Sequence, residues 1–185
     1  MAKIGLQNFL FGELTEGSDG TPSYGVAHKP AKAISCNVSV TNNSAELYAD
    51  DGLAESDTGY QRADVTLGLD DDNLEMMALL LGHDLTDGVM TRNSNDVAPY
   101  VGLGRIATKM VNNSLIYRVE FLKKVKFAEP NQEENTKGEE VDFGTYELEG
   151  VASTLANGDW SDVKEFSSMA SAQTYLASLF EAESE

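Results

Sequence analysis

The stretch AISCNVSVT, from Ala33 to Thr41, decides the fold class because its polar and apolar residues alternate without a break. Odd positions after Ala33 carry small polar side chains and even positions carry apolar ones: Ser35, Asn37, Ser39 and Thr41 against Ile34, Cys36, Val38 and Val40. A period of two places the two sets on opposite faces of a β-strand. Sheets with one buried and one solvated face are antiparallel, so the stretch predicts an antiparallel sheet.

Similar patterns elsewhere predict one β-rich domain with two helices. The further strand predictions are Ile4–Leu14, Asp64–Leu69, Tyr100–Val111, Leu115–Phe127 and Tyr146–Leu155. Helices are predicted over Asp71–Leu81, which starts with acids and ends at Gly82, and over Ser168–Ala182. Loops are predicted at Gly17–Pro22, Asn42–Gly59 and Pro130–Glu140.

Composition narrows the classes of function. The 185 residues carry 31 acids and 13 bases, a net charge of -18 that opposes tight binding to DNA or to anionic membranes. The single cysteine, Cys36, excludes an intrachain disulfide and is typical of a reducing compartment. No signal peptide or membrane-spanning run is recognised, so we expect a soluble protein made in a cytoplasm.

Charge is also segregated along the chain. Between Asn42 and Glu75 there are ten acids and one base, Arg62, whereas between Arg105 and Lys126 there are six bases and one acid, Glu120. Blocks of opposite sign can pair within a chain or between copies of it.

The acids do not form a recognisable catalytic or metal-binding motif. The triplet Asp70–Asp72 lacks the glycine and the spacing of an EF-hand loop, so a helix start is the expected role. His28 and His83 lie in no nucleophile or zinc motif, and Cys36 falls on the apolar face of a strand. The glycines of Gly102-Leu103-Gly104-Arg105 predict a bulge or a close backbone contact. We therefore predict no catalytic residue, no metal site and no cofactor.

Three stretches together resemble the major tail protein, or tail tube protein, family of long-tailed bacteriophages (siphophages), in particular the type common in phages of Gram-positive hosts. They are MAKIGLQNFLFGELTEGSDGTPSYG at the start, AKAISCNVSVTNNSAELYADDGLAESDTGYQRADVTLGLDDD in the first half, and STLANGDWSDVKEFSSMASAQTYLASLF near the end. The second stretch is the most specific.

The resemblance implies a single tail-tube domain over residues 1–185. It implies an antiparallel β-sandwich or open barrel with a flanking α-helix and a C-terminal helix. It also implies a structural, non-enzymatic virion protein, assembled in the host bacterial cytoplasm, whose homohexameric rings stack into a tube for genome ejection. Its implied partners are copies of itself and the tape-measure, distal tail and tail terminator proteins. DNA would pass through without sticking, and no membrane partner is expected.

The resemblance also suggests roles for particular residues. A long inter-subunit loop is expected at about residues 42–60, with Asp50, Asp51, Glu55 and Asp57 reaching a neighbouring copy. The basic face expected to receive it consists of Arg118, Lys123, Lys124 and Lys126. The residues expected near the lumen or the ring interface are Ser35, Asn37, Ser39, Glu46 and Asp64.

Two other classes stay open at this point. In a monomeric calcium- or ligand-binding β-sandwich, the clustered acids would be ligands, and a saturable heat of calcium binding would reveal it. An acidic-cleft hydrolase would need two carboxylates of perturbed pKa facing each other, which the sequence does not identify.

Overall fold

The computed structural model describes residues 2–30, 33–49, 52–71, 73–131 and 146–181. Its elements in chain order are β1 (Ala2–Glu16), β2 (Pro22–Tyr24), β3 (Ala33–Ala49), β4 (Gly52–Leu69), α1 (Leu74–Leu81), β5 (Asp84–Thr86), β6 (Val89–Thr91), β7 (Val101–Val111), β8 (Ser114–Phe127), β9 (Tyr146–Ala152), β10 (Ser161–Phe166) and α2 (Met169–Ala177). The predicted class, a mainly β antiparallel sandwich-like fold with two helices, is confirmed. Neither described helix is long and apolar enough to cross a bilayer.

The main sheet runs in the order β2-β1-β7-β8-β9-β4-β3, and β10 also pairs with β8. Strand β8 joins two layers, because its residues 117–122 pair with β10 while residues 125–127 pair with β9. We call β1, β7, β8 and β10 the first layer, and β9, β4 and β3 the second layer. The end strands β2 and β3 do not pair with each other in the described residues, so the barrel stays open.

The main core lies between the two layers and is closed at one side by α1. Leu103 and Leu122 of the first layer belong to the same buried cluster as Val65 and Leu67 of β4. Helix α1 contributes Met76, Met77, Leu80 and Leu81 to that cluster. Apolar burial of this kind is the main stabilising term of the fold.

A second core forms where α2 covers the other face of the first layer. Ala172 and Leu176 of α2 are fully buried against Ile106, Val119 and Phe121. Two glycines of β7 allow this close packing: a Cβ on Gly102 would lie 2.5 Å from the Tyr24 ring, and one on Gly104 would collide with Leu176. The prediction of a close backbone contact at these glycines is therefore confirmed, and the ladder with β8 is also irregular beside Gly102.

The alternation that predicted β3 holds at Cys36 and Val38 but not at Ile34 or at Val40, which is 44% exposed. Cys36 and Val38 pack against the main core and lie directly opposite the buried Leu67 and Val65 of β4. Ile34 departs from the pattern and is 56% exposed, because the register shifts between Ala33 and Ser35. A shift of this kind changes the face onto which a side chain points.

The prediction of a loop over residues 42–59 is wrong. The antiparallel ladder between β3 and β4 continues through this segment, from Asn42 opposite Tyr60 to Ala49 opposite Gly52. The backbone can pair here without apolar alternation because the two strands are neighbours in the chain. We call residues 42–59 the outer hairpin; Asp50 and Asp51 lie outside the described residues.

Both helices are shorter than predicted. Helix α1 begins after Asn73, whose side chain accepts hydrogen bonds from the backbone N–H groups of Glu75 and Met76, so an amide caps the helix. It ends as predicted at Gly82, which has a φ of 75° and donates its N–H to the Ala78 carbonyl. Helix α2 follows Ser168 as predicted and ends at Ala177.

Candidate assembly surface

The second layer presents a polar face to the outside of the sandwich. Directly opposed residues of an antiparallel pair lie on the same face of a sheet, and here Ser39 opposes Asp64 while Asn37 opposes Thr66. In β9, Glu149 opposes Thr66 and Glu147 opposes Gly68, which itself opposes Ser35. We call this surface the polar outer face; its polar members are Ser35, Asn37, Ser39, Arg62, Asp64, Thr66, Lys126, Glu147 and Glu149, and the exposed Val151 lies among them.

The polar outer face unites four of the five residues predicted near a lumen or ring interface: Ser35, Asn37, Ser39 and Asp64. The backbone of the fifth, Glu46, pairs with Ser56 in the outer hairpin. Their role in a lumen stays a prediction. Thr66, Glu147 and Glu149 were missed, although YELEGVA alternates Glu147 and Glu149 with buried positions and could have indicated them.

The face carries charges of both signs. Arg62, two residues before Asp64 in β4, forms an ion pair with Asp64 at 3.3 Å, but both side chains are about half exposed. An exposed pair of this kind contributes little stability. Glu147 and Glu149 are both exposed, so with Asp64 the face carries three acids against two bases, Arg62 and Lys126, a net negative charge.

Strand β3 is also an edge of the sheet. It is 17 residues long, and its only strand partner in the described part of the chain is β4. An edge strand leaves a row of backbone N–H and C=O groups available to another strand. A long unprotected edge is a ready site for pairing with a second chain.

The outer hairpin extends this edge beyond the core. Glu55 opposes Leu47 and Asp57 opposes Ala45, so these two predicted contact residues belong to β4 and not to a loop. Core residues of β3 and β4, such as Val38 and Val65, lie in the other half of the hairpin.

Three of the four predicted basic contact residues already have carboxylate partners within the chain. Arg118 binds Glu165 at 2.7 Å, and Lys124 binds Glu16 at 2.5 Å. Lys123 binds two acids, Asp159 at 2.9 Å and Asp162 at 3.0 Å.

These pairings shift the ionisation of the groups involved. Burial favours the neutral Lys123 amine, but its hydrogen bonds to Asp159 and Asp162 outweigh burial and raise the pKa of Lys123. The hydrogen bonds from Arg118 and Lys109 lower the pKa of the Glu165 carboxyl. Most of the predicted basic face therefore forms ion pairs within the subunit. These pairs join β8 to β10, to the segment before β10 and to β1.

Lys126 is different from the other three. Its ammonium lies 5.3 Å from the centre of the Tyr100 ring, and no ion pair of Lys126 is found in the described residues. It opposes Val151 of β9, which in turn opposes Asp64. Lys126 therefore lies on the polar outer face and is the most available of the four bases for an intermolecular contact.

A charged group also spans the two layers. Arg105 of β7 donates two hydrogen bonds to Glu120 Oε2 of β8 and one, at 2.7 Å, to the Cys36 carbonyl of β3. The Arg105 and Glu120 side chains are only 14% and 19% exposed. This contact links the first layer to the edge strand.

The hollow beside Arg105 contains one thiol, Cys36, and one hydroxyl, Ser161. It is lined by Cys36, Val38, Leu103, Glu120 and Trp160, among others. Burial raises the pKa of the Cys36 thiol in spite of the nearby Arg105, so the reactive thiolate is disfavoured.

A second group worth testing for chemistry surrounds His83. Its Nδ1 lies 2.7 Å from Asp96 and its Nε2 lies 2.9 Å from Glu129, while Ser94 lines the same hollow. A general base needs a ring nitrogen directed at the nucleophile, and here both nitrogens face carboxylates. Among the described residues, no group of three or more histidines, cysteines or acids is arranged to hold a metal ion.

Comparison of the sequence with protein-family models and with curated proteins gives no match in either case.

Proposed function

We propose that this chain is a structural subunit of a siphophage tail tube. It assembles into hexameric rings that stack into the channel for genome ejection. Two independent lines support the proposal: the resemblance of three sequence stretches to the tail tube family, and the confirmed sandwich-like fold with two helices. The observation that carries it is the combination, in one layer, of a 17-residue edge strand and an acidic polar outer face.

In this proposal, the edge of β3 pairs with a strand of the next copy, so that the second layers continue around a ring. Backbone hydrogen bonds supply the contact, and alternate side chains of each strand would point into the lumen. The polar outer face lines that lumen. Repeating one interface around a closed ring satisfies every edge without leaving a row of unpaired groups.

The charge of the lining suits passage of DNA. Asp64, Glu147 and Glu149 outnumber the two bases of this surface, Arg62 and Lys126, so its net charge repels phosphates, and Ser35, Asn37 and Ser39 are neutral. A duplex can then slide without the counterion release that makes basic surfaces bind DNA tightly. The chain needs no catalytic group for this role.

The outer hairpin is the proposed contact with the next ring. Because Arg118, Lys123 and Lys124 have carboxylate partners in their own subunit, an incoming acid would have to displace those partners. Lys126 is the better receptor on this ground. Tape-measure protein in the lumen and distal tail and terminator proteins at the tube ends complete the proposed partners.

Reversing charge on the polar outer face tests the proposed lumen. We expect tails assembled with Asp64→Lys, or separately with Glu149→Lys, to release DNA more slowly, because each ring then adds cations that hold phosphates. The rate of DNA release from the particles is the measurement, and the slowing should weaken as salt increases. Asp87→Lys, at the exposed turn between β5 and β6, makes the same change of charge elsewhere and serves as control. Release rates equal to that of the control would exclude this face from the lumen.

A further inference from the structure

His83 lies at a junction of three segments that the proposed assembly role does not use. It follows the C-terminal end of α1, Asp96 lies between β6 and β7, and Glu129 lies just after β8. The His83 side chain is only 7% exposed. Its ring therefore has carboxylates, and little water, as partners for its two nitrogens.

The geometry requires a doubly protonated ring. A carboxylate can only accept hydrogen bonds, so contacts of 2.7 Å at Nδ1 and 2.9 Å at Nε2 both need an N–H on His83. In the neutral ring, one nitrogen would present a lone pair to a carboxylate oxygen. The contact on that side would become repulsive.

The two carboxylates are not equivalent. Asp96 is 22% exposed, and its Oδ2 also accepts the Asn93 backbone N–H at 2.8 Å. Glu129 is 45% exposed and has a second partner, Arg92, at 3.2 Å. When one proton leaves His83, the remaining proton is better placed at Nδ1, and the Glu129 contact is the one that breaks.

We propose that His83 is a proton-operated clamp, which ties the chain after β8 to the end of α1 when protonated and releases it when neutral. Within the described part of the chain, the charged groups facing His83 are Asp96 and Glu129, with Arg92 behind Glu129. The other residues lining this hollow are uncharged: Leu81, Asn93, Ser94, Ala98 and Phe127.

The direction of the pH dependence follows from the contacts. The hydrogen bond to Asp96 raises the pKa of His83, burial opposes it, and Glu129 adds to the rise. A raised histidine pKa stabilises the folded form fully below the ordinary value of 6.5, and the contribution is lost as pH rises through the folded value. At the acid end, the hydrogen bond with His83 lowers the pKa of Asp96. The stabilisation that ionised Asp96 gives the folded form is therefore complete above the ordinary value of 3.8 and is lost as pH falls through the lower folded value.

A ring titration by NMR tests the clamp directly. His28→Gln leaves His83 as the only histidine, so its ring signals need no further assignment. We expect a midpoint above 6.5 in this protein. Adding Asp96→Asn should lower the midpoint more than adding Glu129→Gln, and Glu75→Gln, an exposed acid in the first turn of α1, should leave it unchanged.

Hydrogen exchange gives the structural readout. The Ala128 N–H donates to the Glu149 carbonyl at 2.8 Å and reports on the chain after β8, whereas the Gly82 N–H reports on α1. As pH rises through the titration of His83, protection of the Ala128 N–H, corrected for intrinsic exchange, should fall. The fall should be up to about tenfold for each unit by which the His83 pKa exceeds its ordinary value, and protection of the Gly82 N–H should not change. Glu129→Gln should remove this dependence. A His83 midpoint at or below 6.5, or protection of Ala128 that does not respond to this titration, would overturn the proposal.

Discussion

Shortening the outer hairpin is expected to abolish tube formation while leaving the subunit folded. The variant removes residues 43–59 and joins Asn42 to Tyr60 through an Asn-Gly turn, which suits a two-residue connection between paired strands. Core residues such as Val38 and Val65 stay in place, so the thermal midpoint should change by less than about 4 °C. Light scattering and electron microscopy measure assembly, and thermal unfolding measures the fold.

A second variant separates the length of the outer hairpin from its charge. Glu55→Gln with Asp57→Asn keeps every residue of the ladder and removes two acids. If the acids serve mainly to meet a base on a neighbouring copy, this variant should assemble more weakly than wild type and with less dependence on salt. Normal tubes from the shortened protein would refute the inter-ring role of the hairpin.

Glu120→Ala is expected to lower the free energy of unfolding by about 3 kcal/mol. The substitution leaves Arg105 as a charge that is 14% exposed and has lost its carboxylate partner. The double variant Arg105→Met, Glu120→Leu removes both charges and should recover most of the loss, because well-packed apolar residues replace a buried pair at little cost. Denaturant unfolding measures all three proteins.

Arg62→Ala is the matched control for this prediction. Arg62 pairs with Asp64 at 3.3 Å, and both side chains are about half exposed, so its loss should cost less than about 1 kcal/mol. Equal effects of Glu120→Ala and Arg62→Ala would show that burial does not set the value of these pairs.

The same double variant also tests how the β3 edge is held. Arg105 donates a hydrogen bond to the Cys36 carbonyl of β3, and Met at this position cannot replace it. We therefore expect the double variant to assemble less well than wild type at similar stability. Light scattering measures assembly, and full assembly would show that this bond does not support the edge.

The sequence predicted those parts of the fold that have one buried face. In β3, the alternation around Cys36 and Val38 was enough to predict the strand, because a period of two with one solvated face is typical of a half-buried strand. Strands β7 and β8 were placed nearly to the residue. The outer hairpin was not predicted, because its many Asn, Ser, Asp and Gly residues are typical of turns and loops.

The contacts of charged groups depend on register and could not be read from the chain. The basic block around Lys123 was visible, but its partners Asp159 and Asp162 were not. Asp159 lies just before β10 and Asp162 lies in it, and this strand was missed because it has only two apolar residues. The His83 junction joins residues 13 and 46 positions apart, with no motif to connect them. Glu147 and Glu149 were predictable in principle, since they alternate with buried Leu148 and Gly150.

Electron microscopy of the purified protein at high concentration tests the central claim most directly. The imaging should be done at low salt and at a salt concentration that screens the repulsion between copies of charge -18. The account predicts stacked rings or tubes with a central channel, and it predicts that the shortened hairpin variant forms none. Protein that remains monomeric at every concentration and salt condition would contradict the proposal that this chain is a tail tube subunit.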